Sequence, residues 1–234
     1  MRKWAAAIFA ATVGLGLAAC SPAVDLTTDR SWQQEFHLSE CDPASTGRNE
    51  FFVLEPGFHL TLEGNNERLV ITVLDETRMI AGVTTRVVEE REWRDDGLIE
   101  VSRNFFAICE GTNDIFYFGE EVDDYRGGEI VGHGGEWLAG NDGARAGLIM
   151  SGDPQVGMKY YQEIAPNAAL DRAEVVSLDE TLETPAGLFV DCLRTHEGTA
   201  LNLNESEFKT YAPGIGLIRE QSLLLIEYGF DPSS

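Results

Sequence analysis

An all-β fold, an antiparallel meander curled into a half-barrel or folded over as a sandwich with little helix, is what this sequence predicts. Three observations carry the prediction. Apolar and polar residues alternate with a period of two in successive short runs. Clusters of Gly, Asn, Asp and Pro separate those runs. Only residues 165–172 leave room for a turn or so of helix.

Residues 1–19 stand apart. Arg2 and Lys3 open the chain, an apolar run follows from Trp4 to Ala19, and Leu17-Ala18-Ala19-Cys20 puts small residues before a cysteine. That is the layout of a secretory signal, and a cysteine at the cut is where bacteria attach lipid. The run falls short of the ~20 residues that cross hydrocarbon. The mature protein is expected to begin at Cys20, to be exported, and to be held at a membrane by acyl chains. Ser21 rather than Asp at the next position directs it to the outer membrane if the host has two. Residues 20–47, poorer in apolar side chains, read as the lipidated N-terminus and tether, and 48–234 as one antiparallel β domain.

Within that domain, 58–63 alternates and meets Gly64-Asn65-Asn66 before 69–74, which makes a hairpin. A longer hairpin joins 83–94 to 98–106 through Asp95-Asp96-Gly97, a strong tight-turn signal. Its charged positions Glu90, Glu92 and Arg94 are expected to face water. Cys109 closes the run 104–108, a turn follows at 110–114, and 115–118 resumes as an aromatic strand. Glycine then recurs from Gly127 to Gly152, which favours tight turns and close backbone approach over helix. Further strands are predicted at 159–164, 173–178, 188–195, 208–211 and 216–225. Thr184-Pro185-Ala186-Gly187 has proline and glycine placed for a hairpin turn.

Charge narrows the partners. Losing residues 1–19 leaves fifteen basic residues against forty acidic ones, a net charge of −25. Such a surface repels phosphate backbones, so nucleic acid is not the expected partner. Export would put Cys41, Cys109 and Cys192 in an oxidising space. Cys192 lies in the apolar stretch 187–193, where a thiol packs as a small hydrophobe. Cys41 with Cys109 is therefore the expected disulfide, and Cys109 with Cys192 the alternative.

The stretch Arg48-Asn49-Glu50-Phe51-Phe52-Val53-Leu54-Glu55-Pro56-Gly57, with Phe106-Ala107-Ile108-Cys109, Tyr117-Phe118-Gly119-Glu120, Thr184-Pro185-Ala186-Gly187 and Tyr211-Ala212-Pro213-Gly214-Ile215-Gly216, resembles an uncharacterised family of exported bacterial β-rich proteins. The resemblance runs over residues 48–228. It implies an antiparallel β domain outside the cytoplasm and carries no catalytic residue.

Motifs for chemistry are sparse. There is no HExxH and no GxSxG elbow. Gly132-His133-Gly134-Gly135-Glu136-Trp137 is the one ligand-binding candidate, with His133 and Glu136 brought together by flexible backbone beside the Trp137 ring. Asp123, Asp124 and Asp142 are candidate calcium ligands, since hard cations take loop oxygens. Phe105, Phe116, Tyr117, Phe118, Trp137, Tyr160 and Tyr161 are numerous enough for a curved sheet to gather around an apolar cavity. The expected role is a non-enzymatic envelope protein that binds a hydrophobic small molecule or another envelope protein. The alternative is a cation-dependent or hydrolase-like enzyme built on His133 and Glu136.

Overall fold

A computed structural model describes residues 29–166 and 168–230, so the signal segment and Cys20 lie outside the described residues. The described chain is nearly all strand, with a single 3-10 turn at Leu38–Glu40 and no α-helix. In order, the first strands are β1 (Asp42–Ala44), β2 (Gly47–Asn49), β3 (Phe52–Leu54), β4 (Phe58–Gly64), β5 (Glu67–Ile80) and β6 (Val83–Arg94). Then come β7 (Gly97–Glu110), β8 (Ile115–Arg126), β9 (Glu129–Gly132), β10 (Trp137–Leu138), β11 (Arg145–Met150) and β12 (Lys159–Tyr161). The last are β13 (Glu163–Ile164), β14 (Asp171–Thr184), β15 (Gly187–Thr199), β16 (Asn202–Ala212), β17 (Gly216–Glu220) and β18 (Leu223–Phe230).

Turn chemistry sets the meander. Asn65 and Asn66 (φ 51° and 62°) and Asp95 and Asp96 (φ 48° and 62°) all adopt left-handed backbone. Gly64 therefore faces Glu67, and Arg94 faces Gly97, across two-residue loops whose twist matches that of the strands. At the Pro185-Ala186 turn, the Ala186 amide donates to Thr184 Oγ1 at 3.1 Å.

Hydrogen bonding orders the main sheet β12-β14-β15-β16-β17-β18-β4-β5-β6-β7-β8-β11-β13. Two meanders, β4 to β8 and β14 to β18, join where β18 runs antiparallel to β4, with Leu224 opposite Glu63 and Phe230 opposite Phe58. The two ends of this order, β12 and β13, are consecutive in the chain, separated by Gln162 alone. Tyr160 pairs with Ala173 of β14, and Glu163 pairs with Ala146 of β11. One extended segment thus stitches both edges, and the sheet nearly closes into a barrel, which leaves little open edge for foreign strands. Gly147 permits the stitch, because a Cβ there would sit 2.5 Å from the Gln162 carbonyl oxygen and 2.6 Å from that of Tyr161.

The N-terminal strands extend the sheet at β7 and line the interior cavity with Phe52 and Val53. β1 pairs with β7, and Cys41 is disulfide-bonded to Cys109 with a Cα–Cα distance of 5.4 Å. Cys192 is free and fully buried. The β2–β3 hairpin packs Phe52 edge-on against Phe106 at 5.2 Å, while Asn49 Nδ2 donates to the carbonyls of Asn113 (2.8 Å) and Ser151 (2.9 Å). Phe105, Phe106, Ala107 and Ile108 are all buried, so β7 carries a covered face on each side.

Two expectations need correction. Residues 165–172 hold no helix: Ala165 and Ala169 form an isolated bridge, and β14 already begins at Asp171. Pro166 supplies no amide, and Asp171 and Arg172 are taken up in pairing with Thr199 and Gly198. Residues 216–225 are two strands rather than one, broken at Gln221, whose φ is 48°.

Candidate functional site

The residues singled out from sequence separate in space. His133 and Glu136 do converge: His133 Nδ1 lies 2.8 Å from the Val122 carbonyl oxygen, 3.2 Å from Asp123 Oδ1 and 3.5 Å from Glu136 Oε1. The hydrogen bond to Val122, then Glu136, Asp123 and Asp124, hold the imidazole above its ordinary pKa. The ring is 57% exposed, and Glu136 Oε1 also accepts the Val122 amide. With Nδ1 engaged by backbone, the cluster fastens the 133–136 turn to β8. Trp137 turns the other way into the core, edge-on to Tyr117 at 5.1 Å, its Nε1 buried without a hydrogen-bond partner.

The proposed calcium ligands are not gathered. Asp123 lies near Arg103 (3.9 Å) and His133, Asp124 accepts the Gly134 amide at 3.0 Å, and Asp142 sits in the turn between Leu138 and Ala144. Among the described residues, no group of three or more His, Cys, Asp or Glu is arranged to hold a metal ion. Acidic residues close in sequence were separated because alternate strand positions point to opposite faces.

A cluster of buried charged groups lies inside the barrel. Lys209 on β16 is 3% exposed, with its Nζ 3.6 Å from Glu197, 3.5 Å from Glu207 and 3.6 Å from Glu220. Glu197 also accepts from Thr195 Oγ1 (2.6 Å), the Tyr211 hydroxyl (3.0 Å) and Gln162 Nε2 (3.2 Å). Burial alone would lower the Lys209 pKa, but Glu220, Glu197, Glu207 and Glu90 outweigh it and hold the ammonium above its ordinary range.

Further carboxyls share this interior. Burial, reinforced by Glu92, Asp124, Glu90 and Glu220, pushes Glu100 up to about 8. Burial and Glu100 raise Glu120 well above the carboxylate range, and burial with Asp171 does the same for Glu163. Glu163 Oε1 accepts the Asp171 amide at 2.6 Å, while its Oε2 is buried with no hydrogen-bond partner. Glu100 on β7 is influenced by Glu220 on β17, and Glu120 on β8 by Asp171 on β14. β7 and β17 lie far apart in the sheet order, whereas β8 and β14 both contact β13 at the seam.

Glu90 corrects another expectation. It faces inward beside Val88, while Glu89 on the opposite face binds Arg91 (2.7 Å) and Arg103 (3.1 Å). Adjacent glutamates make the alternation ambiguous by one residue, and one residue is a whole face. Arg94 is exposed as expected and pairs with Glu67 at 2.9 Å.

Next to the charged zone lies an apolar one. Phe52, Phe58, Leu60, Ile71, Val88 and Phe106 wall a cavity of about 70 Å³ whose charged end is Glu90, Lys209 and Glu220. Of the aromatic residues expected to build a cavity, none lines this one; all are buried, and Phe116 and Phe118 line a separate apolar pocket with Leu38, Val83 and Ala144. At the other end of the interior Gln162, Asp171, Glu197, Asn204, Glu205 and Glu207 line an acidic opening.

No protein-family model, no curated protein and no solved structure matches this chain. Geometry is therefore the guide to function. An apolar pocket with an ionic end suits an elongated molecule with a polar head. Nothing in it pairs a nucleophile with a base: Cys192 is buried, its thiol pKa raised by burial, Asp191 and Glu180.

Lys209 was missed from sequence, although Glu205, Glu207, Lys209 and Tyr211 share one strand parity. A charged run at period two reads as a wet face until the partner strands are known.

Proposed function

We propose that this protein is a lipid-anchored cell-envelope β domain that binds a hydrophobic small molecule inside its barrel and is not an enzyme. The observation that carries this reading is the cavity of about 70 Å³ walled by Phe52, Phe58, Leu60, Ile71, Val88 and Phe106. One water occupies roughly 10–15 Å³ of such space and a packed interior leaves few voids larger than that, so this space suits a small apolar guest. The anchor rests on Leu17-Ala18-Ala19-Cys20.

The binding test uses toluene, a neutral apolar probe of the cavity's size, followed by titration calorimetry with the wild type and with Val88→Trp, which fills the cavity. The wild type should bind it, with affinity reduced at least about ten-fold in the variant. No binding, or equal binding by both, overturns the reading. In the same preparations Cys20→Ala should leave the membrane fraction, and its retention there would refute the anchor.

A further inference from the structure

We propose that the molecule held in the barrel is a cationic amphiphile, an alkyl chain ending in an amine, rather than a fatty acid or other anionic lipid. The inference deepens the reading of the cavity as a hydrophobic-ligand site and rests on it.

Shape comes first. The apolar walls end at Glu90, Lys209 and Glu220, so a chain lying along the cavity brings its terminal group to those side chains. That end of the cavity selects the head.

Charge then decides between heads. A buried lysine at the end of an apolar tunnel suggests a carboxylate, yet Lys209 is already ringed by Glu197, Glu207 and Glu220 within 3.6 Å, and Glu90 acts on it as well. Four carboxyls against one ammonium give a net charge of −3 when all are ionised. An incoming carboxylate or phosphate would lose its hydration and meet a surplus of like charge. An incoming ammonium meets the opposite sign, and carboxylate oxygens are the acceptors its N–H donors suit. A neutral hydroxyl falls between the two. The acidic opening lined by Asp171, Glu205 and Glu207 extends the same sign of potential to the far end of the interior, so it too repels anions.

Binding of three probes of equal length, hexylamine, hexanol and hexanoate, is measured by titration calorimetry with the full chain at neutral pH. Hexylamine should bind about ten-fold or more tighter than hexanoate, with hexanol between them. Glu90→Gln should narrow the gap between amine and acid by weakening hexylamine binding. Equal affinity for amine and acid, or preference for the acid, overturns the inference and leaves the cavity reading standing. Failure of all three probes to bind overturns the cavity reading and the inference together.

Discussion

Lys209 concentrates the energetic risk of this fold in one side chain. Burying an ammonium costs several kcal/mol unless neighbouring groups compensate, and here Glu197, Glu207 and Glu220 do so at 3.5 to 3.6 Å. Replacing it removes the counter-charge but leaves the acids in place. Lys209→Met should lower the unfolding free energy by roughly 3–5 kcal/mol in urea denaturation, the range for breaking a buried pair from one side. Adding Glu220→Gln to Lys209→Met should recover part of the loss, because one uncompensated charge goes with it. If the single variant unfolds at the wild-type midpoint, the lysine is not the electrostatic centre described above.

At the level of elements, the segment from β12 to β13 governs closure. It bonds to β14 with its first half and to β11 with its second. Gly147 lets it cross β11 closely, with carbonyl oxygens where a Cβ would be. Gly147→Val should therefore destabilise the protein by roughly 1–3 kcal/mol, as overpacking does, and should speed amide exchange at Glu163 and Ile164 before other strands. Unchanged protection there would mean that the seam closes by other contacts. The hairpins themselves were legible: Asn65-Asn66, Asp95-Asp96 and Pro185-Ala186 each turn where the sequence says, because their conformational preferences are local. The Cys41–Cys109 disulfide was legible as well, by the apolar setting of Cys192. The seam was not, since no local signal tells a single run at 159–164 to serve two sheet edges. The inward set was equally hidden. Glu90 and Glu89 are chemically identical neighbours, and only the pairing of β6 with the rest of the barrel decides which one meets Lys209.

For the whole molecule, the buried carboxyls set an unusual response to pH. Glu100 has its pKa raised to about 8, and burial raises Glu120 and Glu163 above their ordinary range as well. Between the ordinary glutamate value and about 8, the folded protein holds protons that the unfolded chain releases. Each such proton lowers stability by about 1.4 kcal/mol per pH unit as pH rises. The stabilising contribution is fully present below the unfolded-state pKa and is lost as pH climbs through the raised one. The melting temperature should consequently be higher at pH 5 than at pH 8, and Glu100→Gln should flatten the slope. A melting temperature that rises from pH 5 to pH 8 would contradict the protonated interior. The pairing of β18 with β4 has a separate consequence. A chain emerging from its N-terminus makes β4 early, yet that strand's missing neighbour is the last one to arrive. Until residues 223–230 dock, the folding molecule is an unfinished ring with a bare flank, and a helper that shields this flank until then would spare it from joining its siblings.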